Sequence, residues 1–311
     1  MKILLLGASG QVGFELQRTL APLGRVDAPN RPVLDLSDAE AVEACLRHIR
    51  PSLIVNASAW TAVDAAETQR DAAFRLNTEL PAQLAAYASH QNIPLVHYSS
   101  DYVYPGDGEV PWREESVTGP LSVYGASKLA GDEAIQASGC RYLIFRTSWV
   151  YSGRGSNFMG TMLHLGRERE ALEVVADQIG APTPARLIAE VTLLALQGMR
   201  QGGTVGGLYH LAPRGETSWH GFACEIFRLA LARGERLAIV PERVAAISTA
   251  QYPTPAQRPL NSRLDLTRLE AALGIELPHW RSQLALTMNE LSDHDPDTNV
   301  TAVKPVSHTK N

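Results

Sequence analysis

Four apolar residues, Ile3 to Leu6, run straight into Gly7-Ala8-Ser9-Gly10-Gln11-Val12-Gly13, after which Val12, Leu16, Leu20 and Leu23 mark one side of a helix. A short buried strand that turns through glycines into a helix commits the start of the chain to a β-turn-α unit. Glycine allows a tight turn and close approach of the backbone, and a helix N-terminus offers unpaired N–H groups with partial positive charge. That combination suits a pyrophosphate. The spacing is G-x-x-G-x-x-G, not the commoner G-x-G-x-x-G, and a plain tight turn is the other reading of the glycines taken alone.

Further apolar runs at Leu53–Val55, Leu95–Tyr98 and Leu143–Phe145 alternate with helical patterns. Ser37 and Glu40 form an S-x-x-E capping box ahead of Val42, Cys45, Leu46 and Ile49. Continuous apolar strands between helices predict an α/β fold: a Rossmann-type doubly wound parallel sheet, with ligands beyond the strands' carboxyl ends. Residues 1–150 are expected to form this nucleotide-binding half, completed by parts of 184–215. Residues 151–291 are expected to be mainly a smaller, interleaved substrate lobe, with strands at Val174–Ala176 and Leu208–Leu211 and helices at Pro184–Met199 and Ser218–Arg233. From 292 to 311 the chain has no large apolar residue except Val, and a disordered tail is expected.

With 28 basic and 33 acidic residues in 311, a net charge of −5 opposes a nucleic-acid or anionic-membrane binder. Cys45, Cys140 and Cys224 are far apart, so neither a disulfide framework nor a thiolate zinc site is indicated. No signal-peptide core or apolar run of membrane-spanning length is present, and a cytoplasmic enzyme is the expectation.

Two clusters carry chemistry. Tyr124-Gly-Ala-Ser-Lys128 sets a phenol and an ammonium one helical turn apart. With nine Tyr and four Lys, chance predicts roughly 0.1 such pairs, so the pair is treated as functional. A neighbouring ammonium favours phenolate and is expected to lower the Tyr124 pKa, readying Tyr124 to protonate a carbonyl oxygen. His97-Tyr98-Ser99-Ser100-Asp101 brings hydroxyls to a strand's carboxyl end, where Ser100 can donate to the same oxygen; strand-end capping is the other reading. His97 reads as a core residue. For the cofactor's adenosine end, Asp27 suits a ribose hydroxyl and Asn30-Arg31 a 2′-phosphate, and the guanidinium favours NADPH over NADH. Asp35-Leu36 is placed to meet the adenine, with a cap shared with Ser37 as the alternative.

The glycine turn, Ser100 and Tyr124-x-x-x-Lys128 resemble the extended short-chain dehydrogenase/reductase superfamily. Asn56-Ala-Ser-Ala-Trp-Thr-Ala-Val-Asp64, His97 to Gly106, Arg146-Thr-Ser-Trp-Val-Tyr151, Asn157-Phe158, Asp177 to Thr183 and Tyr252 to Arg263 are similar to its dTDP-4-dehydrorhamnose reductase family. The resemblance spans residues 1 to about 290. It implies NAD(P)H-dependent reduction of the C4 ketone of dTDP-4-dehydro-L-rhamnose, the last step toward a sugar of bacterial surface polysaccharide, by a monomer or homodimer. On matching positions it implies Tyr124 as general acid, Lys128 on the nicotinamide ribose and Ser100 orienting the ketone. Gly7, Gly10, Gln11, Val12, Gly13, Asn30, Arg31, Asp35, Leu36, Ala57, Ser58, Ala59, Trp60, Thr61 and Tyr98 would line the cofactor. Asp101, Trp149 and Asn157 would meet the sugar; Arg258, Asn261 and Ser262 would lie near the diphosphate or form a structural turn. Ser100 departs from the family's common Thr, and Asn30 from its common acid. The family's Mg²⁺ positions match Glu15 and Glu290, but Arg186 at the third would repel the ion, so no metal residue is assigned. Reduction or epimerisation of another nucleotide-linked 4-keto sugar is the enzymatic alternative. A non-catalytic regulatory subunit, like the β subunit of methionine adenosyltransferase, is the other.

Overall fold

The computed structural model describes residues 1–200 and 206–292. Six strands, β1 (Lys2–Leu6), β2 (Arg25–Asp27), β3 (Leu53–Asn56), β4 (Pro94–Ser100), β5 (Arg141–Thr147) and β6 (Gly207–His210), form one wholly parallel sheet in the order β6-β5-β4-β3-β1-β2. The chain steps from β1 out to β2 and then returns to β3 on the other side of β1. The crevice at that reversal is where such sheets bind ligands.

Both faces of the sheet are dry, which is why its strands read as unbroken apolar runs. Ile3, Leu5, Leu53, Val55, Val96, Leu143 and Phe145 point to one side, against Leu16 and Leu20 of α1 (Gln11–Leu20). A later helix reaches the same side. Leu4, Leu6, Ile54, Leu95 and Ile144 point to the other, against Val42 and Leu46 of α2 (Ala39–Ile49) and Leu80, Leu84 and Ala88 of α3 (Leu80–Gln91). There too lies α4 (Val123–Ala137), capped by Ser122 and carrying Tyr124 and Lys128.

A separate apolar cluster, around Met159, Leu163, Phe222, Phe227, Trp280 and Met288, builds the second lobe from α5 (Phe158–Glu168), α7 (Trp219–Ala232) and α8 (Trp280–Ser292). Between these in sequence, α6 (Ala185–Arg200) returns to the main sheet and packs Leu187, Ile188 and Val191 against it. Leu172–Val175 pairs in parallel with Val244–Ile247 inside the second lobe. Among the described residues no helix is long and apolar enough to cross a membrane.

Local differences from the sequence reading have simple causes. Asp38, not Ser37, caps α2, its carboxylate accepting from the N–H groups of Glu40 and Ala41. Ser37 instead donates to Asp35. The edge strand β2 was not foreseen, because three residues with a half-exposed pattern carry no periodicity to read. The strand expected at 174–176 starts two residues earlier, at Leu172. The tail expected from 292 lies, past Ser292, outside the described residues.

The glycine turn is a packing constraint in its own right. Gly7 has φ +79°, and a side chain there would lie 2.5 Å from the backbone of Ala57 beyond β3. A side chain at Gly13 would collide with the Gly7 carbonyl, so α1 sits against the turn with no room for a methyl. Gly13→Ala is therefore expected to destabilise the protein by about 1–3 kcal/mol, read as a lowered midpoint in urea unfolding. An unchanged midpoint would contradict this close packing.

Candidate active site

The carboxyl ends of β1, β3 and β4 meet the N-terminus of α1 and the first turns of α4. Gly10 caps α1 without any side-chain hydrogen bond, and the first turn carries no acid, which leaves the helix N–H groups free for an anion. Gly7 lies against Ala57, and the Asn56 side chain accepts from the Ser58 N–H at 3.2 Å and the Ser58 hydroxyl at 2.5 Å. The Ala57-Ser58-Ala59 loop is thus folded beside the glycine turn. Trp60 is clamped through both main-chain groups by the buried Asn77, which also donates to the Ser127 hydroxyl of α4. Asn77 sits in a π-helical turn, Arg75–Glu79, and its carbonyl abuts Gly131. Sequence reading missed it, since an isolated Asn in a helical stretch gives no signal. At the adenosine end, Asp27 is ion-paired with Arg25 at 2.8 Å, while Asn30 and Arg31 stand exposed. Asp35 has its pKa lowered, first by the Ser37 hydroxyl and N–H and also by Arg31.

On α4, Tyr124 faces Tyr102 edge-on at 5.3 Å and lies beside Ser100. Burial raises the Tyr124 pKa, with the Ser100 hydroxyl opposing and Asp101 and Tyr102 adding to the rise. This corrects the expected lowering. The Lys128 Nζ, buried behind, donates to the Tyr98 carbonyl at 2.7 Å and lies 3.2 Å from His97 Nε2. Ser100 donates to Asp101 Oδ1 at 3.0 Å and accepts from the Tyr102 N–H, so the strand-end cap is real and coexists with its position beside Tyr124. Asp101 Oδ2 has no hydrogen-bond partner among the described residues, and burial pushes the pKa of this carboxyl up to about 6 against the Ser262 and Ser100 hydroxyls. Arg258 reaches the same corner, bonded to Asp64 at 2.8 Å and 3.5 Å from the Tyr102 hydroxyl.

A model of the RmlD substrate binding domain matches residues 1–293. A dTDP-4-dehydrorhamnose reductase of Shigella flexneri is 45% identical over 295 residues, covering 94% of this chain and 98% of that one. The chain belongs to this family. Solved relatives share its architecture. The Clostridium acetobutylicum dTDP-4-dehydrorhamnose reductase superposes with a TM-score of 0.86 at 35% identity, covering 94% of this chain and all of that one. The Bacillus anthracis dTDP-4-dehydrorhamnose reductase in complex with NADP gives 0.82 at 32%, with 93% and 99% covered.

Other residues matched to the family's pattern are engaged by contacts within the protein. Asn157 caps α5 and donates to Gln11 Oε1 at 3.0 Å, a carbonyl oxygen that the Ser152 hydroxyl also reaches. Its amide is spent inside the protein. Asn261, fully buried, gives its amide to the Asp107 and Val110 carbonyls, which is the structural-turn alternative. The Tyr98 hydroxyl pairs with Thr192. Trp149 stands at the left-handed φ of +50° and stacks on Trp219 with ring centres 3.8 Å apart. A non-glycine residue held in that region is strained, a feature that clusters at ligand sites. Arg186 lies between Glu15, at 3.1 Å, and Glu290.

Behind Lys128, the buried Asp132 accepts from Arg146 and from the Ser99 hydroxyl, both at 2.9 Å. Arg146 continues to the Tyr104 hydroxyl, which meets His210. Breaking a buried pair strands the surviving charge, so Asp132→Asn is expected to cost about 3–5 kcal/mol in denaturant unfolding. A loss within experimental error would mean that water reaches Arg146.

Proposed function

We propose that this protein reduces the C4 ketone of dTDP-4-dehydro-L-rhamnose to the alcohol of dTDP-L-rhamnose with NADPH, and that its residues act as follows. The carrying observation is the convergence of Tyr124, Ser100 and buried Lys128 at the end of β4, next to a glycine turn whose helix N-terminus is free. The 45% identity to a dTDP-4-dehydrorhamnose reductase over nearly the whole chain supports the sugar, and the NADP bound by a solved relative supports the cofactor.

A bound nicotinamide would supply the hydride for C4, and the chain's own residues handle the remaining proton and the geometry. Tyr124 donates its proton to the ketone oxygen as that oxygen gains charge. Its raised pKa keeps the phenol protonated at neutral pH, the form that a reduction consumes. The Ser100 hydroxyl orients the same oxygen, Lys128 holds the nicotinamide ribose, and Asp101 and Trp149 bound the sugar. Gly7, Gly10, Gln11 and Gly13 bring α1 up to the pyrophosphate. Arg258, steadied by Asp64, supplies positive charge for the nucleotide diphosphate. Asn30 and Arg31 meet the 2′-phosphate, a role supported by the commitment of Asp27 to Arg25.

Tyr124→Phe is expected to lower kcat by about 10²–10⁴-fold in a spectrophotometric NADPH assay, and full activity would sink the proton-donor role. Lys128→Arg is expected to lose most activity while keeping the parent's circular dichroism, because a planar guanidinium does not fit a site built around a single compact nitrogen. Arg31→Ala is expected to lower the ratio of kcat/KM with NADPH to that with NADH; an unchanged ratio would remove Arg31 from the cofactor site.

A further inference from the structure

Lys128 is the only lysine between Lys2 and Lys304, and the hydrogen-bond polarity around it has a consequence for its charge. The Asn56 carbonyl oxygen accepts from the Ser58 N–H and hydroxyl, so its orientation is settled and its NH₂ points to His97 Nδ1 at 3.2 Å. An NH₂ can only donate there, which makes Nδ1 the acceptor. A neutral imidazole whose Nδ1 accepts carries its proton on Nε2. His97 is fully buried and its pKa lies well below the usual value, from burial first and the Lys128 charge second, so it is neutral. Its Nε2–H therefore faces Lys128 Nζ at 3.2 Å. An ammonium has no lone pair to receive it, whereas an amine can accept from His97 and still donate to the Tyr98 carbonyl at 2.7 Å.

We infer that Asn56 and His97 act as a polarity lock, two positioning residues that present an N–H to Lys128 Nζ and so weaken its hold on the ammonium proton. The groups facing Lys128 divide cleanly. His97 on β4 opposes its charge, Asp132 one turn along α4 supports it, and the Arg146 guanidinium beyond Asp132 takes up much of that support. Burial lowers the Lys128 pKa to about 8, with Asp132 opposing. The change of charge thus falls just above neutral pH, and taking up the proton requires either a shift of Nζ off His97 or a change of His97 tautomer that forfeits the Asn56 bond. The functional consequence rests on the assignment of Lys128 to the cofactor ribose: the number of N–H groups available to the ribose oxygens then depends on pH through this lock.

The test uses the free, full-length protein and no turnover, so it stands apart from the sugar assignment. In ¹⁵N-histidine NMR at a pH above the Lys128 midpoint, the signals lost in His97→Leu are those of His97, and a neutral Nε2–H tautomer is expected. An Nδ1–H tautomer would overturn the lock. With only four lysines in the chain, the ¹³Cε signal missing in Lys128→Arg identifies Lys128, whose titration midpoint is expected near 8. Asn56→Asp offers a carboxylate to Nδ1, so His97 should invert to Nδ1–H and the Lys128 midpoint should rise by about one unit or more. On a His97→Leu background the same substitution should raise the midpoint less, because only the carboxylate's charge remains to act. An equal rise on both backgrounds, or tautomer inversion with no movement of the midpoint, would refute the coupling. If Asn56→Asp does not fold, the tautomer of the parent protein still decides the claim.

Discussion

Charge buried between a sheet and a helix has to be supplied with partners from both, and the placement of β3, β4, β5 and α4 follows from that need. The buried side of α4 is Gly125, Ser127, Lys128, Gly131 and Asp132, with Ile135 the sole large apolar residue among them. A helix with so polar an inner face is stable only where the opposing strands offer donors and acceptors in register. Here they do, through His97, the Tyr98 carbonyl, Ser99 and Arg146. The glycines serve the same end: Gly125 and Gly131 let the Tyr102 and Asn77 carbonyls touch the helix where a side chain would collide. Deep burial makes Lys128 chemically unusual, and the same burial fixes its position one turn from the half-buried Tyr124.

The lobes are joined by polar contacts rather than by one shared apolar core. Gln11 at the glycine turn meets Ser152 and Asn157; Asp64 meets Arg258; Arg186 of α6 meets Glu15 of α1 and Glu290 of α8. Hydrogen bonds and ion pairs at partly exposed positions are individually weak, so such a seam can adjust to a ligand at little cost. Trp149, at its left-handed φ, reaches the second lobe by stacking on Trp219 of α7.

Much of this was readable from the chain. The parallel sheet was legible because both faces of its strands are buried, which leaves an apolar run at each one. Tyr124 and Lys128 were legible because a helix converts a spacing of four into a shared face. Asn77 and Asp132 were not, since neither belongs to a short pattern and their roles exist only across tens of residues. The α2 cap was misplaced by one residue for a related reason: Ser37 and Asp38 both suit an N-cap, and Asp35 drew Ser37 away. Asn157 and Asn261 matched a family pattern, yet their amides are consumed by local carbonyls and a helix end.

What the amino-acid sequence determined by itself is the repeating β-α grammar, the glycine turn and the phenol–ammonium pair, because each is written in neighbours a few residues apart and follows from backbone geometry and helical pitch. Tertiary structure alone decided what that pair is electrically. A spacing of four predicts an ammonium that acidifies a phenol; the fold instead buries the lysine, turns its nitrogen toward the Tyr98 carbonyl and His97, and raises the phenol's pKa. The reason is physical: protonation energies depend on solvent exclusion and on partners brought in from β3, β4 and β5, and no local pattern contains that information.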